Sequence, residues 1–369
     1  MSRALRVVWN RRRDVFTRHF YDMVKRVMQE RFNFWQGVSH QVFLENLRVI
    51  EARPWNLLVE LTNICNADCI FCAYRFQSRE QKVMSREIYL KALNDYCAMG
   101  GGDLMLAVSV GDPAVDPDFI ERIREARARP EIASIETITN AIALKPVQIE
   151  ALLRSGLSRL QISTAPMERN LFEKIYRSKS YDIVKRNIRL LLEKNQELGC
   201  PVEIKLAFRG NLSMRETLSL PDYSEISRLP HRVEFNADFD TWTGEIRPGD
   251  LLPGMQLRPL SKLEREPCYW FYDGPIVFVD GSLGLCGCRD FNADSELVVG
   301  NIMDDSLLDI WQGAAVKDLR ERFRSGDFPA ICRKCTTYAN LDMYRRKPGA
   351  ERAALTRMRL ESKIKGSHV

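Results

Sequence analysis

Between residues 54 and 236 the sequence alternates short strand-like stretches with helical ones, and this alternation limits the folds that the chain can adopt. Helical patterns follow the strand-like stretches near residues 85–99, 118–127 and 146–155, and again up to residue 198. Parallel strands need a crossover segment between them, which is most often a helix. Because a complete TIM barrel has eight strands, we predict an α/β fold with a partial, TIM-like (β/α)6 barrel. Six strand-like stretches are visible, at residues 55–61, 104–110, 135–139, 160–163, 202–208 and 233–235.

Changes in composition and in the spacing of apolar residues divide the chain into four parts. Residues 1–53 have apolar residues at helical spacing, which predicts a helical N-terminal extension. The barrel is predicted over residues 54–247. A turn-rich segment begins near its end, and a smaller cysteine-bearing domain is predicted over residues 248–340. Residues 341–369 predict a basic helical tail.

The bulk composition indicates a soluble protein of the cytoplasm. Apolar residues make up 45% of the chain and charged residues 28%, and no apolar run is long enough to cross a bilayer. The N-terminus has no apolar core of the kind found in secretory signals. Since disulfides are rare in the cytoplasm, the ten cysteines favour metal binding or catalysis.

The two ends of the chain carry an excess of basic residues. Residues 1–30 contain eight Lys or Arg against three Asp or Glu, and residues 341–369 show the same balance. The residues between them are not basic, so the pattern argues against a nucleic-acid-binding protein. Solvated helical faces explain such ends, and a peripheral contact with a membrane or another anionic partner stays open.

The first predicted strand is followed by three closely spaced cysteines, Cys65, Cys69 and Cys72, in the stretch CNADCIFC. Ferredoxin runs and zinc ribbons usually complete the coordination with a fourth cysteine or histidine. Three thiolates in one tight loop suit three corners of a four-iron cluster and leave the fourth iron open. A structural zinc knuckle is the alternative, but it leaves the fourth ligand unassigned.

This C-x3-C-x2-C loop, with Phe71 before the last cysteine, resembles the signature of the radical S-adenosylmethionine (SAM) superfamily. The resemblance implies a 4Fe–4S cluster held by Cys65, Cys69 and Cys72, with SAM bound at the open iron. It also implies a 5′-deoxyadenosyl radical as the reactive species. Tyr74, just after the loop, is a further candidate for the SAM pocket.

Polar residues after the later strands resemble motifs of the same superfamily. Gly111, Asp112 and Pro113 resemble the Gly-Gly-Glu-Pro run, which implies a contact with the methionine amino group of SAM. Asn140, in a Thr-Asn-Ala run, resembles the Thr-Asn-Gly run of the family. The resemblance further implies a ribose contact for Ser163 and a contact of Arg177 with the methionine carboxylate. In a TIM-like barrel these positions share one end, because chemistry is placed at the C-terminal ends of the strands.

Five more cysteines lie near the C-terminus: Cys268, Cys286, Cys288, Cys332 and Cys335. Their spacing, together with the Gly-Asn-Ile run at residues 300–302 and Trp311, resembles the SPASM and "twitch" auxiliary iron–sulfur domains. The spacing of these cysteines resembles that of the aminocyclitol (2-deoxy-scyllo-inosamine) dehydrogenase group. That resemblance implies one auxiliary 4Fe–4S cluster. Its ligands would be Cys268, Cys286, Cys332 and Cys335, and Cys288 stays open as an alternative ligand, a buried thiol or a hydrogen-atom donor.

A second cluster with four protein ligands has no open iron, so its remaining use is to accept or pass on an electron. This favours an oxidoreductase that removes hydrogen from a polyol, amino sugar or glycan-like substrate and leaves a ketone. Two alternatives remain within radical chemistry: a redox-neutral epimerase that uses Cys288, and a peptide maturase. A non-catalytic iron–sulfur or zinc scaffold is the alternative outside it.

The catalytic base and the partners are less constrained by the sequence. Lys205 and Arg209 on the fifth strand are candidates, as are Glu234, Asp238 and Asp240 near the sixth. The resemblance implies an external one-electron donor such as flavodoxin or ferredoxin, and a small-molecule or glycan substrate. The segment 236–252 joins the two domains, and Trp242 within it could stack on a sugar.

Overall fold

The computed structural model describes residues 51–106, 109–263, 265, 267–287 and 289–339. Most of the expected helical extension and the expected basic tail therefore lie outside the described residues, as does Cys288. Within the described ranges, no helix is both long enough and apolar enough to cross a membrane.

Six parallel strands follow one another in chain order, and they confirm the α/β fold with a partial barrel. Neighbouring strands pair in register, for example Leu57 with Leu104 and Leu160 with Ile204. These positions are fully or almost fully buried, as expected for parallel strands covered on both faces. The strands are β1 (Asn56–Val59), β2 (Gly102–Leu106), β3 (Ile132–Thr139), β4 (Arg159–Thr164), β5 (Glu203–Arg209) and β6 (Arg232–Asn236).

The helices form where apolar residues recur at helical spacing, and in some of them a side chain caps the first turn. Helix α1 begins after Ser85, whose hydroxyl oxygen accepts a 3.2 Å hydrogen bond from the amide of Ile88. The described helices are α1 (Arg86–Ala98), α2 (Phe119–Arg127), α3 (Ile149–Leu153), α4 (Arg169–Tyr176), α5 (Tyr181–Glu197), α6 (Met214–Leu218), α7 (Pro221–Ser224), α8 (Tyr269–Asp273), α9 (Leu307–Trp311), α10 (Ala314–Ser325) and α11 (Ala330–Arg333).

The helical region before residue 198 is two helices, and the break between them positions part of the site. Helix α4 ends at Arg177, which has a left-handed backbone conformation with φ of 49°. The chain then turns into α5, which buries an apolar stripe that includes Val184, Ile188 and Leu191. The break leaves the last residue of α4, Tyr176, facing inward.

The C-terminal domain extends the barrel sheet at the edge formed by β1. Strand β9 (Ile276–Val277) runs parallel to β1, and the antiparallel strands β10 (Ser282–Gly284) and β11 (Val298–Asn301) follow it. The result is a sheet of nine strands in the order β11-β10-β9-β1-β2-β3-β4-β5-β6. A separate two-stranded pairing joins β7 (Asp238–Phe239) to β8 (Gln256–Leu257).

A buried ion pair reinforces this junction. Glu60, the residue after β1, has no solvent exposure, and its two carboxylate oxygens accept hydrogen bonds of 2.6 and 2.8 Å from Arg79. The amide of Val279, just beyond β9, also donates to Glu60 at 3.3 Å. The guanidinium of Arg79 lies 5.1 Å from the ring centroid of Phe278. One carboxylate therefore links the strand that leads to the cysteine loop with the C-terminal domain.

Candidate active site

The loop that carries Cys65, Cys69 and Cys72 follows β1 and is fastened to the end of α4. The amide of Ile70 donates to the carbonyl of Ile175 at 2.9 Å, and the amide of Asp68 donates to the carbonyl of Tyr176 at 3.2 Å. The side chain of Ile70, within the loop, is buried. These contacts fix the loop at the C-terminal end of the barrel, where the sequence analysis placed it.

The three thiols line one cavity of about 410 Å³ at this end of the barrel. Burial raises the pKa of Cys65 to about 12 and that of Cys72 to about 11, and it also raises the pKa of Cys69. Each of these thiols also feels the charge of another cysteine of the loop or of a nearby carboxylate. Buried thiolates close together need a bound cation, so the donor set suits an iron–sulfur cluster.

Among the described residues, no three acidic, histidine or cysteine side chains converge closely enough to hold a single metal ion. A mononuclear site needs all its ligands within about 2.0–2.3 Å of one ion. A four-iron cluster distributes its thiolates over separate irons, so wider spacing of the cysteines fits it better.

Asp112 is buried at the end of the cavity, and neighbouring groups of the protein donate hydrogen bonds to its carboxylate. The carboxylate accepts hydrogen bonds from the hydroxyl of Thr139 at 2.8 Å, from the amide of Asn140 at 2.6 Å and from the amide of Ala114 at 3.0 Å. Burial raises its pKa to about 6, and these hydrogen bonds oppose that rise. Asp112 therefore ties the chain after β2 to the end of β3, and it lines the cavity where a SAM contact was expected.

Asn140 connects this network to the cysteine loop. Its side-chain amide donates to the side-chain oxygen of Asn66 at 2.7 Å and lies 3.7 Å from the sulfur of Cys65. Its side-chain oxygen accepts from the amide of Ile142 at 2.8 Å. The residue after it, Ala141, has a φ of 64°, a conformation that glycine adopts more easily. The Asn140 side chain is thus aimed at the cysteines by its own turn.

Gly111 lies where the segment after β2 passes the start of the cysteine loop, with φ of 119°. A Cβ atom at this position would lie 2.8 Å from the carbonyl oxygen of Thr62 and 3.1 Å from that of Ile64. Both contacts are with backbone, so no rotamer change relieves them. We expect Gly111→Ala to lower the free energy of unfolding of the apoprotein by about 2–4 kcal/mol, measured by urea denaturation.

Gly249→Ala is the matched control, because a Cβ atom at Gly249 would have no neighbour within 4 Å and its φ is not in the left-handed region. Its effect should stay within about 0.5 kcal/mol. Equal stability of the two variants would show that the approach of Gly111 to the loop is not a tight one.

Phe71 and Ser163 lie on the cavity as expected, and Tyr176 joins them. The ring of Phe71 stacks on Phe239 with a centroid distance of 5.1 Å and meets the edge of Tyr176 at 5.8 Å. The hydroxyl groups of Ser163 and Tyr176 are 3.0 Å apart. Sequence analysis missed Tyr176, although its spacing of four from the buried Phe172 places the two on one helix face.

Three residues expected at the SAM pocket are outside the set that lines the cavity. Arg177 is exposed, lies just after α4 in a left-handed backbone conformation and forms a 3.1 Å ion pair with Asp68. Tyr74 packs with the apolar cluster around Trp242. Pro113 is buried at the start of a 3-10 turn. Gly111, Asp112 and Asn140 do line the cavity.

The residues considered as catalytic bases also divide into those that line the cavity and one, Lys205, that does not. Arg209, Glu234, Asp238 and Asp240 line the cavity. Lys205 lines a different cavity, and its ammonium donates to Glu234 at 2.7 Å. Burial raises the pKa of Glu234, but hydrogen bonds from Lys205 and Asn236 outweigh it and hold that pKa below its usual value. Glu234 is therefore ionised at neutral pH.

The wall of the cavity next to Cys72 contains Trp242, Asp240 and Arg289. The indole N–H of Trp242 donates to the carbonyl of Phe71 at 2.9 Å. Arg289 forms a 2.6 Å ion pair with Asp240, and its guanidinium lies 4.6 Å from the Trp242 ring centroid. Sequence analysis named Trp242 and Asp240 but missed Arg289 and Arg258, which reach the cavity from segments distant in the sequence.

The four cysteines expected to bind the auxiliary cluster also lie close together. Burial is the main cause of the raised pKa values of Cys268 and Cys332, and the thiol of Cys332 feels the charges of Cys268, Cys286 and Cys335. The amide of Ala339 donates to the sulfur of Cys268 at 3.2 Å, and the amide of Thr337 donates to that of Cys335 at 3.3 Å. Four thiols in one group suit a four-iron cluster whose irons all have protein ligands.

Two family models match the chain. Residues 59–204 match the radical SAM superfamily, and residues 268–336 match SPASM, an iron–sulfur cluster-binding domain. Both cysteine sets fall within these matches. SAM and 4Fe–4S clusters are the cofactors that these two domains bring to the chain.

Two curated relatives match about 70% of the chain. The chain is 30% identical over 306 residues to molybdenum cofactor biosynthesis protein 1 of Drosophila melanogaster, which covers 71% of this chain and 51% of that protein. It is 26% identical over 302 residues to a probable GTP 3′,8-cyclase of Saccharolobus islandicus, which covers 72% of this chain and 90% of that protein. The chain thus spans about half of the fly protein, and these relatives are not aminocyclitol dehydrogenases.

Solved structures share the fold. SuiB of Streptococcus suis, bound to the precursor peptide SuiA, has a TM-score of 0.57 at 12% identity, with coverage of 84% of this chain and 77% of that chain. BtrN in complex with AdoMet and 2-DOIA has a TM-score of 0.50 at 15% identity, with coverage of 77% and 93%. Identities this low support the fold alone.

Proposed function

We propose that this chain, which carries a radical SAM domain and an iron–sulfur cluster-binding SPASM domain, is an oxidoreductase. Its substrate would be a polyol, an amino sugar or a glycan-like molecule, and its product a ketone. The substrate would bind in the cavity beside Cys65, Cys69 and Cys72.

The observation that carries this proposal is the grouping of Cys268, Cys286, Cys332 and Cys335. Four cysteine thiolates would bind all four iron atoms of a 4Fe–4S cluster, so no iron atom is left open for a substrate. A cluster of that kind is suited to accept an electron. An electron acceptor is needed when the reaction removes two electrons from the substrate, and it is not needed for a redox-neutral reaction.

The residues of the cavity divide into roles. Cys65, Cys69 and Cys72 would hold the first cluster, and Phe71, Ser163 and Tyr176 would surround SAM. When bound there, SAM and the reduced cluster supply a radical that removes one hydrogen atom from a carbinol carbon. Apolar walls formed by Phe71, Phe239 and Trp242 would exclude water from that carbon.

The balance of the reaction also requires a proton acceptor. With SAM and the cluster bound, the carbinol carbon would lose one hydrogen atom, and 5′-deoxyadenosine would be released as the co-product. The hydroxyl proton of the carbinol would pass to Glu234, which lines the cavity as a carboxylate. The remaining electron would pass to the auxiliary cluster, and from there to an external acceptor. An external one-electron donor, such as flavodoxin or ferredoxin, starts each turnover.

A second candidate is a cyclase that acts on a nucleoside triphosphate. The curated relatives named GTP 3′,8-cyclase favour it, and so do Arg209 and Arg258 on the cavity wall, which form no ion pair with a described residue. In that case the product would contain the same atoms as the substrate.

The test is turnover of the anaerobically reconstituted protein with SAM and either dithionite or reduced flavodoxin. Amino sugars, aminocyclitols, nucleotide sugars and GTP would be offered separately. We expect 5′-deoxyadenosine, methionine and a product lighter by two hydrogen atoms. A product of unchanged mass from GTP would establish the cyclase, and a product of unchanged mass that carries solvent deuterium would establish an epimerase.

We also propose that the protein works in the reducing cytoplasm. None of the nine described cysteines forms a disulfide, as is usual for cytoplasmic proteins and necessary for thiolate ligands. The contact of the basic chain ends with a membrane or another anionic partner lies outside the described residues and stays a prediction.

A further inference from the structure

Three arginines line the cavity, and they differ in how their charges are compensated. Arg289 is held by the buried carboxylate of Asp240 at 2.6 Å and by the face of Trp242. Arg209 and Arg258 form no ion pair within the described part of the chain. The Nε atom of Arg209 is inaccessible to solvent, and no described residue accepts its hydrogen bond.

An unsatisfied buried donor on a charged group destabilises the protein, so native structures usually supply a partner. The nearby carboxylates do not accept a hydrogen bond from the Nε atom of Arg209. Glu234 feels the charge of Arg209 but accepts its hydrogen bonds from Lys205 and Asn236. The carboxylate of Asp112 is bound by Thr139, Asn140 and Ala114. The remaining carboxylate of the cavity wall, Asp238, is exposed.

The methionine part of SAM carries a single carboxylate, which can pair with only one of the two guanidinium groups. The substrate is the other small molecule expected in this cavity, so an anionic group on the substrate would supply the second partner. Guanidinium groups bind phosphate through paired, charge-assisted hydrogen bonds.

We propose that Arg209 and Arg258 form a phosphate-binding site in the cavity and that the substrate carries a phosphate group. The inference rests on the proposed function, because it assumes that the substrate occupies this cavity. It narrows the substrate class from neutral polyols to phosphorylated ones, such as a sugar phosphate or a sugar linked to a nucleotide. Arg209 supplies the sheltered half of the site from the end of β5, and Arg258 supplies the exposed half from the end of β8.

The test uses inorganic pyrophosphate as the probe and the reconstituted holoenzyme saturated with SAM. The dissociation constant of pyrophosphate would be measured by calorimetry for the natural protein and for Arg209→Gln and Arg258→Gln. Each variant should weaken pyrophosphate binding by about 10- to 100-fold, since each removes charge-assisted hydrogen bonds. Arg189→Gln is the matched control, because Arg189 is an exposed arginine on α5 that pairs with Glu193. It should leave the constant unchanged.

A second measurement separates the substrate from SAM as the source of the anion. The affinity for SAM, and the change that SAM causes in the electron paramagnetic resonance spectrum of the reduced cluster, should be the same in Arg209→Gln as in the natural protein. If Arg209→Gln weakens SAM binding and leaves pyrophosphate binding intact, Arg209 holds the methionine carboxylate and the proposal is wrong. Unchanged binding of both ligands would also overturn it.

Both readouts are equilibrium measurements that need no turnover. Failure to find an oxidised product would therefore contradict the proposed function and leave the phosphate site standing. Conversely, turnover of a neutral aminocyclitol with no effect of Arg209→Gln would support the oxidoreductase and overturn the phosphate site.

Discussion

Cys332→Ala should leave SAM cleavage intact and remove the oxidised product. The thiol of Cys332 is buried and feels the charges of the other three cysteines of its group, so it is placed as a ligand of the auxiliary cluster. Without that ligand the iron content should fall from about eight to about four atoms per chain. The cysteine loop is untouched, so 5′-deoxyadenosine should still form, while the ketone should fall by more than about 100-fold because its electron has no acceptor.

The reciprocal variant replaces Cys65, Cys69 and Cys72 with alanine. It should lose the same number of iron atoms and produce neither 5′-deoxyadenosine nor ketone. Cys200→Ala is the control, since Cys200 is exposed and belongs to neither cysteine group, and it should behave like the natural protein. Two results would contradict the assignment: full iron content in Cys332→Ala, or undiminished ketone formation in that variant.

Glu60→Gln should be among the most destabilising single substitutions in the described part of the chain. Glu60 is fully buried, and the neutral amide would leave the Arg79 guanidinium, whose side chain is only 12% exposed, without a counter-charge. Breaking a buried ion pair from one side typically costs about 3–5 kcal/mol. We expect a loss of that size in the free energy of unfolding of the apoprotein, measured by urea denaturation under anaerobic conditions.

Glu150→Gln is the matched control for this substitution. Its pair with Arg154 on α3 joins two side chains that are more than half exposed, and such pairs contribute less than about 1 kcal/mol. A Glu60→Gln variant as stable as Glu150→Gln would show that water or another group reaches Arg79. A double variant, Glu60→Gln with Arg79→Met, should recover part of the loss, because it removes the uncompensated charge.

The barrel strands could be predicted because parallel strands buried on both faces give short apolar runs in the sequence. Each of the six predicted stretches overlaps a strand, and β3 begins three residues before its prediction. The cysteine loop could be predicted because its spacing is local. Strands β9 and β10 were not anticipated, since runs of two or three residues carry too little pattern and are stabilised by pairing with β1 and β11.

The rest of the site could not be predicted for two physical reasons. One is backbone conformation: the left-handed residue Arg177 turns its own side chain outward and leaves Tyr176 on the cavity. The other is distance along the chain: Arg258 and Arg289 reach the cavity through tertiary packing alone. Asp112 lies where it was expected, but its short side chain is bound by Thr139 and Asn140.

The pairing of β9 with β1 means that the sequence boundary between the two domains is not a place where the protein can be cut. The amide of Leu58 donates to the carbonyl of Pro275, and the amide of Glu60 donates to that of Val277, each at 2.9 Å. A chain truncated after residue 247 would lose both partners and present β1 as an open, apolar sheet edge. Such edges recruit strands from other molecules, so the shortened barrel would aggregate before it could assemble a cluster.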